Sequence, residues 1–138
     1  MAKNISPIEG SSVLITTDDI RLARDLGFLL TVAGLNSSNA TIGAEALRVM
    51  KHQMPDLLLL DLDMPGDDGL DLLRRLRADG RYNGLAIIAM SESDELSTLT
   101  TALDIGADDF LAKPFDVYDV LDSIKRVMID RMTFQRAS

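Results

Sequence analysis

The chain has no cysteine. That excludes a disulfide framework, a thiolate zinc site and a cysteine nucleophile, and nothing in the composition asks for an oxidising compartment. It has a single histidine, His52, too few for a zinc centre or a histidine phosphorelay of its own. No apolar run approaches the ~18 residues that a membrane span needs. Residues 1–10 lack the apolar stretch of a secretory signal, and the expected compartment is the cytoplasm. Basic residues are also short: 14 stand against 22 acidic ones, a net charge of −8 at pH 7 with His neutral. Such a balance repels phosphate backbones and argues against nucleic-acid binding by this chain alone. What is present, 138 residues of which 46% are hydrophobic and 26% charged, is the make-up of one globular domain. A domain of that size buries roughly two thirds of its unfolded surface.

Short apolar runs punctuate the chain. Residues 13–15 lead into Thr16, Thr17, Asp18 and Asp19; the four leucines 57–60 end in Asp61; residues 85–90 end at Ser91; residues 110–112 end at Lys113 and Pro114. Continuous apolar runs of this length, bounded by polar residues, Gly or Pro, suit strands buried on both faces of a parallel sheet. A further strand is expected near residues 35–40 from the rhythm of the chain alone, because Leu-Asn-Ser-Ser-Asn-Ala has little strand propensity. Between the runs, apolar residues recur at helical spacing: Leu22, Leu26, Leu29, Leu30 and Ala33; Ala44, Leu47 and Met50; Leu70, Leu73 and Leu76; Leu96, Leu99, Ala102 and Leu103; and Val117, Val120, Leu121, Ile124, Val127 and Met128. Gly34, Gly80 and Gly106 serve as stops. The expected fold is α/β, a doubly wound five-stranded parallel sheet with five helices. Residues 1–10 are expected as a tail, 11–130 as the domain, and 131–138 as a C-terminal tail or the start of a linker.

In such a sheet ligands bind beyond the carboxyl ends of the strands. Four strands deliver Asp18 and Asp19, Asp61, Ser91 and Lys113 to that edge. Carboxylates from separate strands repel unless something positive lies between them. Mg2+, a hard cation that takes one or two carboxylates and keeps several waters, answers that need. With a lysine and a serine hydroxyl beside them, the group makes a phosphoryl site in which a carboxylate is the nucleophile.

These residues carry a resemblance. Asp18, the run Asp61-Leu62-Asp63-Met64-Pro65 with Gly69, Ser91, the run Gly106-Ala107-Asp108-Asp109-Phe110, and Lys113-Pro114-Phe115 follow in an order and spacing similar to those of the receiver domain of two-component response regulators, the chemotaxis-regulator type. The resemblance implies a flavodoxin-like (βα)5 fold. It implies Asp61 as phosphoacceptor, Asp18 as a direct Mg2+ ligand with Asp61, and the Asp63 backbone carbonyl as a further ligand. It also implies Lys113 as the partner of the phosphoryl group, Ser91 as the switch hydroxyl and Phe110 as the aromatic that moves with it. Pro114 follows a lysine that the family often presents through a cis peptide. Implied partners are a histidine kinase or phosphotransfer protein upstream and a downstream protein or an output domain. No nucleic acid and no membrane are expected as direct partners, and the chain is expected as a monomer or weak homodimer. It is expected to accept phosphoryl without being a turnover enzyme, and to control its partner through the surface of the fourth helix, fifth strand and fifth helix.

Three residues depart from the pattern. Thr17 stands where the family has the first of two acids, and Asp19 follows as a further candidate ligand. Asp63 and Glu92 bring carboxylates to positions flanking the phosphoryl group. Thr17 and Glu92 keep open a phosphorylation-independent interaction module. The Asp-x-Asp at Asp61 and Asp63 also resembles the nucleophile motif of haloacid-dehalogenase-like phosphatases. Against that enzyme reading, Pro65 stands where that family has Thr or Val, two strand–helix units precede the motif, and no acidic pair follows Lys113. Asp67 and Asp68 read as a solvated turn or an outer acidic rim, and Arg74, Arg75 and Arg77 as a solvated basic stripe.

Overall fold

The computed structural model describes residues 8–137, with side chains through residue 132. Five strands and five helices alternate: β1 (Ser12–Thr16), α1 (Ile20–Val32), β2 (Asn36–Ala40), α2 (Gly43–His52), β3 (Leu57–Asp61), α3 (Asp68–Ala78), β4 (Ala86–Ser91), α4 (Leu96–Ile105), β5 (Asp109–Ala112) and α5 (Val117–Ala137). One-turn 3-10 segments, Pro65–Asp67 and Gly80–Tyr82, flank α3. All pairings are parallel and the strand order is β2-β1-β3-β4-β5. The chain therefore winds one way from β1 to β2 and the other way from β3 to β5. The reversal leaves a crevice between the carboxyl ends of β1 and β3.

Alternation along the strands divides the core in two. Leu14, Leu58, Leu60, Ile87 and Ala89 face a layer built with Met50, Leu72, Leu73 and Leu76. Val13, Ile15, Leu57, Leu59, Ile88 and Met90 face the other, with Leu26, Leu30, Val120, Ile124 and Val127. The four leucines of β3 thus serve both layers, which is why a strand without polar alternation lies at the centre. Each fully buried leucine contributes about 1.5–3 kcal/mol relative to exposure. Strand β2 pairs only with β1, at the sheet edge, and four of its five residues are exposed. Its polar sequence follows from that position.

Helix α1 starts where Asp19 accepts a hydrogen bond from the Leu22 N–H, and ends at Gly34, whose φ of 88° lies in the left-handed region. In α3 the buried face is Gly69, Leu72, Leu73 and Leu76, so Leu72 rather than Leu70 continues the stripe. Helix α4 differs from its expected packing: Ala102 is its one buried residue, while Leu96 is 73% exposed and Leu103 42%. Helix α5 runs to Ala137 without a break at the expected 130/131 division. At the other end, Ile8 is buried, in the segment expected as tail.

Candidate functional site

The register of the sheet sets the site. Thr16 pairs with Leu60 and Asp61 with Met90, so Thr17 and Asp61 leave β1 and β3 side by side, with Ser91 one step further along β4. Ser91 in turn pairs with Ala112, which puts Lys113 immediately beyond the end of β5. The Lys113–Pro114 peptide is cis.

Asp61 is only 1% exposed. A carboxylate so buried needs compensation for its lost water. Its Oδ1 accepts from Lys113 Nζ at 2.8 Å and from the Asp63 N–H at 2.8 Å. Its Oδ2 accepts from Thr17 Oγ1 at 2.6 Å. Thr17 is itself buried, and its oxygen accepts from the Asp19 N–H at 3.1 Å, which fixes the hydroxyl proton toward Asp61. Thr17, just past the end of β1, is therefore a hydrogen-bond donor to Asp61.

The Asp63 carboxylate, like that of Asp61, meets three donors. Its Oδ1 accepts from Ser91 Oγ at 2.7 Å; its Oδ2 accepts from the Glu92 N–H at 2.8 Å and lies 3.0 Å from Lys113 Nζ. Partial burial alone would raise the Asp63 carboxyl, but the bonds from Ser91, the Glu92 N–H and Lys113 outweigh it and hold the group below its ordinary value. Burial likewise pushes the Lys113 ammonium down, and the two carboxylates it bridges more than reverse this. Two carboxylates thus share one lysine, leaving the cluster with a net negative charge. Sequence reasoning placed Asp63 and Glu92 together as two flanking carboxylates. In the structure the Asp63 carboxylate faces inward, and Glu92 contributes its backbone N–H.

Asp18 follows Thr17 and is exposed, with no hydrogen bond or ion pair among the described residues. Asp19 caps α1. Asp68 accepts from the Gly43 N–H at 2.7 Å, tying α3 to the start of α2 rather than forming a rim. Among the described residues, no group of three or more His, Cys, Asp or Glu side chains is arranged to hold a metal ion. The donors nonetheless suit Mg2+. They are all oxygen, and Asp61 Oδ2 is met by a rotatable hydroxyl rather than by the lysine, with the free Asp18 carboxylate two positions from the strand end. An ion that keeps most of its water asks for no more than one or two carboxylates.

Phe110 is partly buried and packs against the core layer on the α2–α4 side. Gly69 explains the close seating of α3: a Cβ there would stand 2.5 Å from the Asp61 carbonyl oxygen and 3.0 Å from Leu62 Cα. Arg77, expected on a solvated stripe, is instead a structural centre with a side chain only 12% exposed. It donates to the carbonyls of Gly106, Tyr82 and Leu85 and pairs with Asp108 at 3.1 Å. Arg131 pairs with the same aspartate at 3.0 Å, and Asp108 Oδ2 accepts from the Ile87 N–H at 2.8 Å.

The fold thus brings a buried aspartate, a serine and a lysine to the ends of successive strands of a doubly wound sheet. The model of the response regulator receiver domain matches residues 13–125. The chain belongs to this family, the receiver domains of two-component response regulators, whose standard function is to accept a phosphoryl group. It is 36% identical over 116 residues to the swarming motility regulation protein RssB of Serratia marcescens, covering 84% of this chain and 52% of that protein. It is 35% identical over 116 residues to the response regulator MprA of Mycobacterium leprae, covering 84% of this chain and 50% of that protein. The chain spans about half the length of the curated relatives it matches. Among solved structures, the receiver domain of the Francisella response regulator 1452 superposes with a TM-score of 0.78 at 29% identity, covering 89% of this chain and 99% of that one. A CheY-like receiver domain protein from Methanospirillum hungatei shares the fold, with a TM-score of 0.81 at 24% identity and coverage of 91% and 98%. The family match sets the Asp-x-Asp at the end of β3 within a receiver domain. Among the described residues no helix is long and apolar enough to cross a membrane.

Proposed function

We propose that Asp61 is the phosphoacceptor of this domain. The observation that carries the reading is the buried Asp61 carboxylate, held by Lys113 on one oxygen and by Thr17 on the other. A carboxylate oxygen attacks the phosphorus of a phosphohistidine or a small phosphodonor. The new O–P bond forms as the bond to the leaving group breaks, and the leaving group departs with the electron pair. Oδ1 faces Lys113 and the Ser91–Asp63 side, and carries the phosphoryl. Oδ2, with Asp18 nearby in the chain and the Asp63 carbonyl as a further donor, is the side that suits Mg2+. When bound, Mg2+ offsets the charge that accumulates as a phosphate meets a carboxylate. Lys113 stabilises the product side, and Ser91 and the Glu92 N–H are donors within the same cluster.

The upstream partner in this reading is a histidine kinase or phosphotransfer protein. The downstream partner is another protein or an output domain, reached through α4, β5 and α5, in a cytoplasmic setting and as a monomer or weak homodimer. Asp61 is modified once per molecule rather than turned over. Incubation with Mg2+ and acetyl phosphate, followed by intact-mass measurement, tests this: one phosphoryl per chain is expected, lost in Asp61→Asn and on chelation of Mg2+. Sustained hydrolysis of an aryl phosphate, or labelling that survives Asp61→Asn, would overturn it.

A further inference from the structure

Three donors converge on one anion in this domain, and that anion belongs to the chain itself. Ser91 Oγ, the Glu92 N–H and Lys113 Nζ all meet the Asp63 carboxylate, at 2.7, 2.8 and 3.0 Å. We infer that Asp63 is a built-in occupant of the switch. Its carboxylate takes the donors that a phosphoryl group on Asp61 would engage, and holds the β4–α4 junction in its engaged arrangement with Asp61 unmodified. The inference rests on the reading of Asp61 as phosphoacceptor.

The geometry supports it in several ways. A phosphoryl group bonded to Asp61 Oδ1 would lie beside Lys113 Nζ, the same nitrogen that now bridges Asp61 at 2.8 Å and Asp63 at 3.0 Å. Its anionic oxygens need charge-assisted donors, and the donors within this cluster are those already spent on Asp63. The Ser91 hydroxyl has a defined orientation: its oxygen accepts from the Ser93 N–H at 3.0 Å while its proton goes to Asp63. Phe110 is already packed against the core layer behind. An uncharged residue at position 63 would leave Lys113 and the two donors of the β4–α4 turn without their common anion. A phosphoryl group arriving while Asp63 is in place meets a like charge on its own donors.

The test uses the full chain, with Asp63→Asn and Asp63→Ser as independent variants. The readouts are amide NMR and intact mass, with beryllofluoride plus Mg2+ and acetyl phosphate as probes. In wild type, the Glu92, Ser93 and Phe110 amides are expected to move little on adding beryllofluoride. In both variants these amides are displaced without a probe, and beryllofluoride returns them toward the wild-type positions with about tenfold tighter binding, since a competing charge has gone. If wild type responds as far as the variants do, or if the variants without a probe match wild type at these amides, the inference is overturned while the mass label on Asp61 stands. If no chain takes label or responds to beryllofluoride, the phosphoacceptor reading falls and takes the inference with it.

Discussion

Replacing Thr17 with valine keeps the shape of the side chain and removes one hydroxyl. That hydroxyl donates to Asp61 Oδ2 at 2.6 Å in a position only 1% exposed, so water cannot take its place. A hydrogen bond to a charged partner contributes about 1.5–3 kcal/mol, and losing it leaves half of a buried carboxylate unpaired. Allowing for the extra buried methyl, Thr17→Val is expected to cost about 2 kcal/mol, or ~8 °C in Tm for a domain of this size. The neighbouring residue supplies the control. Thr16 is fully buried, and its Oγ1 has no hydrogen-bond partner among the described residues. Thr16→Val removes an unsatisfied hydroxyl and is expected to stabilise by about 1 kcal/mol. Urea unfolding followed by far-UV circular dichroism, with an unchanged m-value, measures both. Combining Thr17→Val with Asp61→Asn should recover about 1–2 kcal/mol of coupling. Shifts of the same sign for both valines, or a Thr17→Val change within about 0.5 kcal/mol of zero, would refute the reasoning.

Other perturbations follow from the same geometry. Thr17→Asp sets a second carboxylate against Asp61; it is expected to lower Tm in chelator, and to raise Mg2+ affinity about tenfold or more by metal titration. Gly69→Ala drives a methyl into the Asp61 carbonyl, since the contact would be 2.5 Å to backbone. A loss of about 2–3 kcal/mol in urea is expected, with slower labelling of Asp61 because the end of β3 must shift. Arg77→Met leaves three carbonyls and part of Asp108 without their donor. It is expected to cost about 3–5 kcal/mol, measured by the same unfolding curve.

Much of this molecule is legible in its residues because two-sided burial leaves a plain mark. The run 85–90 reads as a buried strand, and the leucines 57–60, helical on propensity alone, read as one from their length and the prolines at 55 and 65; the acids, serine and lysine that end the runs fall where the register brings them. Strand β2 was legible only as rhythm: an edge strand is solvated on its outer side, so Asn36 to Ala40 carry no apolar signature. Helical spacing misjudged α4, because Leu96 and Leu103 share a face that the fold leaves open. It misjudged Arg77, because a guanidinium that satisfies three carbonyls looks the same in sequence as one in water. The signal that could have found it is the glycine at 106, since a Cβ there would stand 2.7 Å from the Arg77 Cγ. The sequence places the Asp63 carboxylate beside the phosphoryl position but not the donors it meets; those depend on where Ser91 and Lys113 stop on other strands.

The two arginines on Asp108 make one end of the sheet a fixed support. Asp108 grips the start of β4 through the Ile87 N–H and gives its own N–H to the Ile87 carbonyl at 2.7 Å. Ser91 lies four residues further on, about 13 Å along the strand. Between that support and Ser91, β4 is paired with β3 on one side and β5 on the other, so the strand is held along its length rather than free to slide. Helix α5 is bolted to that support through Arg131, so it stays with the frame. Helix α4 is held to the same support at its far end, where the Gly106 carbonyl accepts from Arg77 and Ile105 packs on the core, and reaches Ser91 only through the segment 92–95. The end of α4 nearer the site, where Leu96 is 73% exposed, is therefore less tied to that support than its Gly106 end.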